Sequence, residues 1–127
     1  MKLRDRIVVT IVRRRPHGRL SRAVVVLRVR GRRTGDWHEL PVQYAAGGRD
    51  LVVFPGHPEH KRWWRNLRDG APVRVMTDGS WHGGTGRVVW ADDRDYECAL
   101  LAYCRRFPRV AVPLGAPVVL IDLEGSP

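Results

Sequence analysis

The chain has 127 residues, a length that fits one domain with a buried core and is too short for two. Its 43% hydrophobic and 28% charged content excludes wholesale disorder. No apolar run nears the roughly 20 residues of a membrane span. The start, Met1-Lys2-Leu3-Arg4-Asp5-Arg6, lacks the apolar segment and small-residue cleavage site of a secretory signal, so a cytoplasmic protein is expected. Charge is the outlier: 23 basic against 13 acidic residues give +10, and twelve of the basic residues fall between Met1 and Gly35 beside one acid, Asp5. Such a basic third implies an anionic partner, whether nucleic acid, a membrane surface or a phosphorylated or carboxylated small molecule.

Residues 3–12 place Leu3, Ile7, Val8, Ile11 and Val12 at helical spacing, although Ile7-Val8-Val9-Thr10-Ile11-Val12 is β-branched throughout. Helix and strand compete here; the spacing leans to a helix, and Pro16 and Gly18 end the segment. Ala23 to Arg30 is a strand that opens fully apolar, so one end is buried on both faces. Gly31 to Asp36 is a turn bracketed by glycines. Trp37 to Ala45 returns as a second strand, and after Ala46-Gly47-Gly48-Arg49-Asp50 a third runs from Leu51 to Phe54. Strand, tight turn and strand in succession predict an antiparallel meander.

Pro58 suits a first helical position and Glu59 the positive dipole end, so a helix of about three turns is expected up to Gly70. Two further strands, Pro72–Thr77 and Trp81–Trp90, are joined by the hairpin turn Asp78-Gly79-Ser80. Asp92, Asp93 and Asp95 suit a helix start, with Tyr96, Ala99, Leu100, Tyr103 and Phe107 on one face and Pro108 as its stop. Val118 to Leu123 is the last strand. The expected architecture is α+β: an antiparallel barrel of about six strands with two short-to-medium helices, in one domain spanning residues 1–127.

Candidate chemistry is sparse. Neither a nucleophile elbow nor a phosphate loop occurs, and Gly83-Gly84-Thr85-Gly86 reads as a bulge or turn. No metal spacing joins the five histidines. Cys98 and Cys104, six apart on a helix, lie about 9 Å from one another, beyond disulfide reach. The strongest constellation is Gly31-Arg32-Arg33-Thr34-Gly35 followed by Trp37-His38. Glycines there let the backbone turn and expose N–H groups, and two guanidiniums can clamp a phosphate or carboxylate. The plain alternative is an exposed hairpin kept soluble by arginine. In Trp63-Trp64-Arg65-Asn66-Leu67, neighbouring tryptophans lie about 100° apart around a helix, so one stripe cannot bury both. Leu67, four residues after Trp63, turns Trp63 toward the core side near the barrel mouth.

These segments, with the Leu40-Pro41-Val42 strand, resemble in order and spacing the deazaflavin-dependent nitroreductase family, whose pattern runs roughly T-G-R-K-[ST]-G-x-P-R, a proline-containing strand, then W-Y-x-N-L. The likeness is strongest over residues 23–90. It implies a split β-barrel related to flavin reductases and pyridoxamine phosphate oxidases, binding F-420, an 8-hydroxy-5-deazaflavin with a phosphate and a glutamate tail. It implies that Arg32, Arg33 and Thr34 hold that tail, with His38 standing where the family has arginine after the turn and Pro41 in the proline-containing strand. Phe54, Pro55, Gly56 and His57 would offer backbone groups to the phosphate or ring, and Trp63 would wall the ring pocket. The cofactor carries the hydride to a small organic acceptor such as a quinone or nitro compound, so no catalytic side chain and no metal is expected. His57 also replaces a basic residue, and Val110 falls where some members place a tyrosine. The alternatives are a non-catalytic split barrel binding FMN, haem or another anionic ligand, and a basic nucleic-acid-binding domain, for which no motif is present. No specific nucleic-acid partner is expected, and the chain is expected to be a monomer or homodimer.

Overall fold

The computed structural model describes residues 24–47, 50–77 and 79–123. The helix expected at residues 3–12 lies outside them. In β1 (Val24–Arg30), side chains alternate between two faces. Val25, Leu27 and Val29 point into the main core, while Val24 and Val26 are buried on the other face beside Met76 and Trp81. Arg28 and Arg30 complete that outer face, where the Arg28 guanidinium lies 4.0 Å from the Trp81 ring centre and bonds Glu39 at 2.6 Å.

The second strand differs from expectation in one place. It breaks at Tyr44 into β2 (Trp37–Gln43) and β3 (Ala45–Gly47). Followed by β4 (Asp50–Val53), β5 (Ala71–Thr77), β6 (Ser80–Val89) and β7 (Val118–Leu123), these strands form one seven-stranded sheet in the order β2-β1-β5-β6-β7-β4-β3. Every pairing is antiparallel. The edges β2 and β3 are separated in the chain by Tyr44 alone, so the sheet curls until its edges nearly meet. This is a split barrel. The meander expected of the first three strands is not continuous, because β2 pairs only with β1, while β4 lies across the sheet between β3 and β7.

The three-turn helix expected from Pro58 is also corrected. Two short 3-10 helices stand there, Pro58–His60 and Trp63–Leu67. Tighter winding changes which tryptophan goes inside. With three residues per turn, Trp64 and Leu67 fall on one side, and they are 4% and 0% exposed, whereas Trp63 is half-buried. Trp64 donates its indole N–H to the Pro58 carbonyl at 2.9 Å and meets the Trp90 ring edge-on at 5.8 Å.

Leu67 enters the barrel over Gly86, where a Cβ would stand 2.9 Å from the leucine Cδ1. A Cβ at Gly84 would stand 2.6 Å from the Asp122 carbonyl oxygen. The glycine run therefore makes no bulge or turn: β6 pairs in unbroken register on both sides, and the missing side chains admit close neighbours.

A single α-helix among the described residues, α1 (Tyr96–Arg106), covers β3, β4 and β7. Tyr96, Ala99 and Tyr103 face a second core that includes Phe54, whose ring meets Tyr103 edge-on at 5.9 Å. The Tyr96 hydroxyl donates to the Ala116 carbonyl at 2.6 Å and ties down the following loop. At the start of α1, Arg87 reaches from β6 to Asp93 at 3.0 Å and Asp95 at 2.6 Å, so these acids clamp the helix to the sheet as well as suiting its N-terminus. Cys98 and Cys104 are free thiols. No described helix is long and apolar enough to cross a membrane.

Asp50 and Asp122 stand directly opposite each other in the β4–β7 ladder. Partial burial, and then the Asp122 charge, pushes the Asp50 carboxyl above its ordinary 3.8. Folded protein thus holds this proton more tightly than unfolded chain, so charged Asp50 costs stability at neutral pH and the cost fades as pH falls toward the unfolded value. Asp50→Asn is expected to raise the urea midpoint at pH 7, with the gain gone below about pH 4. An equal gain at both pH values would show that charge is not the cause.

Candidate functional site: an arginine-lined cleft

Two walls face each other across a cleft of about 390 Å³ at one mouth of the barrel. The first wall is the β1–β2 turn. Gly31 donates its N–H to the Asp36 carbonyl at 2.8 Å, and Gly35 donates to the Gly31 carbonyl at 2.8 Å. Gly35 has φ +78°, a left-handed conformation that a Cβ disfavours. The Thr34 hydroxyl accepts the Asp36 N–H at 3.2 Å, and Arg30 clips its Nε to the Gly35 carbonyl at 3.1 Å. Held in this way, the turn presents Arg32, Arg33, Thr34 and His38 to the cleft.

The second wall is the 3-10 helix at Trp63–Leu67 and the residue before it. Arg62 and Arg65 are three apart, one 3-10 turn, and both line the cleft with Asn66. Asn66 Oδ1 accepts the Arg32 N–H at 3.1 Å, and its Nδ2 donates to the Trp63 carbonyl at 3.2 Å. The exposed turn amides expected from the sequence are therefore partly spoken for. The N–H groups of Gly31, Arg32, Gly35 and Asp36 all have protein acceptors.

Electrostatically the cleft is one-sided. Among the described residues no carboxylate pairs with Arg32, Arg33, Arg62 or Arg65. The acids that do pair stand elsewhere: Glu39 with Arg28, Asp93 and Asp95 with Arg87, Glu59 near His57 and His60. Arg65 Nε is buried with no hydrogen-bond acceptor, an unsatisfied donor on a permanently charged group. Guanidiniums so arranged bind phosphate or carboxylate groups in the fork geometry that planar N–H pairs favour.

Of the residues expected from the sequence, Arg32, Arg33, Thr34 and His38 meet here. The others stand outside the lining. Pro41 is opposite Val26 on the outer face of the sheet. Phe54 and Pro55 are buried, Phe54 in the core under α1. Gly56 has open space where a Cβ would stand. His57 is exposed and adopts φ +53°, a left-handed conformation uncommon for a residue with a Cβ, as it turns the chain into the first 3-10 helix. Trp63 packs half-buried against the barrel core and contributes its carbonyl to Asn66. Arg62, Arg65 and Asn66 were not anticipated as site residues. The available signal was their spacing: arginines three apart, with no acid from Arg62 to Arg68.

Comparisons with known proteins bear on the family and the fold. Residues 4–103 match the family model described as F420H(2)-dependent quinone reductase. Among solved structures, the chain is similar to an F420-H2 dependent reductase (TM-score 0.66, 17% identity, covering 80% of this chain and 95% of that one). It is similar also to a domain-swapped dimer (TM-score 0.56, 18% identity, 80% and 81%) and to an FAD and heme binding protein from Mycobacterium smegmatis (TM-score 0.50, 20% identity, 84% and 63%). No curated protein matches significantly. At these identities the solved structures speak for the split-barrel fold, and the family match speaks for the chemistry. The chain belongs to the F420H(2)-dependent quinone reductase family, whose members are F420-dependent oxidoreductases.

Proposed function

We propose that the arginine cleft seats the phosphate and glutamate tail of F420H2, and that the chain passes a hydride from this cofactor to a quinone. The observation that carries the reading is the cleft itself: four guanidiniums with no carboxylate partner among the described residues, and one buried donor, Arg65 Nε, awaiting an acceptor. That donor set fits a tail of phosphate and carboxylates. F420, rather than FMN, is the cofactor supported by the family match. When bound, F420H2 supplies the hydride.

The chain's own residues bind and orient. Arg32 and Arg33 on the turn and Arg62 and Arg65 on the 3-10 helix grip the anionic end, while Thr34 keeps the turn in shape through Asp36. His38 lines the cleft at the start of β2, where Leu40 and Val42 continue the same face into the barrel core. Half-buried Trp63, next to Arg62 and bonded to Asn66, is the flat apolar surface assigned to the deazaflavin ring. The backbone at Pro55, Gly56 and His57 is assigned to the ring end of the cofactor. No side chain is assigned a proton transfer.

Tail contacts are made equally in the ground and transition states, so they set affinity and not the hydride step. Purified protein with F420H2 and a water-soluble benzoquinone is expected to regenerate oxidised F420, read by its fluorescence. In the Arg62→Ala/Arg65→Ala double variant KM for F420H2 should rise by about 10- to 100-fold with kcat nearly unchanged, as expected for losing charge-assisted hydrogen bonds worth roughly 1.5–3 kcal/mol each with partial compensation. Arg109→Ala, on an exposed residue outside the cleft, should leave both constants as they are. Unchanged KM in the double variant would remove the tail from this cleft. Absence of turnover with any quinone, alongside tight F420 binding, would leave a carrier and not a reductase.

A further inference from the structure

Asn66 occupies a singular place in the cleft. Among the described residues it makes the one hydrogen bond that joins the β1–β2 turn to the second 3-10 helix, 34 positions away in sequence. Its two polar atoms are spent in opposite directions, the oxygen on the Arg32 N–H at 3.1 Å and the nitrogen on the Trp63 carbonyl at 3.2 Å. Each wall it joins carries two guanidiniums, and among the described residues no carboxylate lines the cleft to offset their repulsion. A neutral carboxamide suits this place. Aspartate could accept from Arg32 but not donate to Trp63, and it would cancel part of the charge that an anion needs. A hydrocarbon would leave the walls unlinked.

We infer that Asn66 is a positioning residue: it holds the Arg32/Arg33 wall in register with the Arg62/Arg65 wall, so that both pairs engage one polyanionic ligand. This rests on the assignment of the cofactor tail to the cleft. The linked walls behave as two tethered binding modules, with the second contact made at high effective concentration once the first has formed. Cutting the tether removes that advantage without removing any charge. The chemical preference that follows is for ligands with two or more anionic groups, such as a phosphate followed by carboxylates, over a single small anion.

The test compares Asn66→Ala with the native chain, using fluorescence titration of F420 and calorimetric titration of inorganic pyrophosphate. Asn66→Ala is expected to raise Kd for both by about tenfold and to raise KM for F420H2 by a similar factor, with kcat within about twofold. Arg33→Ala provides the readout that a merely structural role would not move. It should weaken F420 binding by about tenfold in the native chain and by less than about threefold in the Asn66→Ala chain, where the turn no longer faces the same ligand. Equal losses from Arg33→Ala in both backgrounds, or an Asn66→Ala affinity within about twofold of native, would overturn the inference and leave the F420 reading intact. A native chain that binds pyrophosphate in an Asn66-dependent way but does not bind F420 would keep the positioning role and overturn the cofactor assignment. Binding of neither probe would overturn both. Where alanine destabilises the fold, the near-isosteric Asn66→Leu removes both hydrogen bonds without opening a cavity, and the same criteria apply.

Discussion

Between Gln43 and Ala45 the chain leaves one edge of the sheet and enters the other, with Tyr44 as the sole residue in which to do so. Two Cα steps separate Gln43 from Ala45, at most about 7 Å, so the two edges of the seven-stranded sheet must be brought almost together. Strand twist supplies the direction of the curl, and the covalent link sets its extent. Much of the structure follows from this closure. A sheet curled so tightly encloses a narrow interior, filled mostly by valines with Leu27 and Ile121 from the strands and by Trp64 and Leu67 from outside the sheet. Closure also swings the β1–β2 turn over one mouth of the barrel, where the second 3-10 helix, drawn in by Trp64 and Leu67, meets it.

The cleft is thus a by-product of two packing decisions. Gly86 vacates the volume that Leu67 occupies, and Leu67 sets the depth of its 3-10 helix. With Trp64 and Leu67 committed inward, the tight winding leaves Arg62 and Arg65 together on the other side. On the opposite wall, Gly35 and the Thr34 hydroxyl keep the turn closed, and its arginines can only project outward. Acids are kept busy elsewhere: Glu39 by Arg28, and Asp93 and Asp95 by Arg87. A site with four permanent positive charges survives in a stable fold because the hydrophobic terms are settled a few residues away.

Much of this was legible in the sequence, and the remainder was hidden for identifiable reasons. Strands at 24–30, 71–77, 80–89 and 118–123 and the helix at 96–106 announce themselves through alternation, apolar runs and stop residues, because burial follows the local period. The break at Tyr44 carries no local mark, since it is imposed by the partners of the flanking strands. Trp63, Trp64 and Leu67 fit two windings: spacing by four selects Trp63 as the inward ring, spacing by three selects Trp64, and the Pro58 carbonyl that accepts the Trp64 indole favours the second. Arg32 and Arg33 stood out because glycines bracket them. Arg62, Arg65 and Asn66 did not, because their role depends on the winding of the helix they sit on. Likewise the glycines of β6 are silent about Leu67 until the helix is placed above them.

A cleft lined by arginines, with no carboxylate paired to them among the described residues, also changes what selectivity must rest on. Nucleotides, polyphosphates and nucleic-acid ends would each be drawn to the same guanidiniums. Charge attracts all of them and tells them apart poorly. Discrimination therefore falls to what lies next to the charges: the width set between the two walls, which Asn66 links. Common anions would be transient occupants, displaced by a molecule that offers a ring as well as a tail. Sequence drift at the arginines would alter how strongly every anion is held, while drift at Asn66 would alter the spacing that tells one from another.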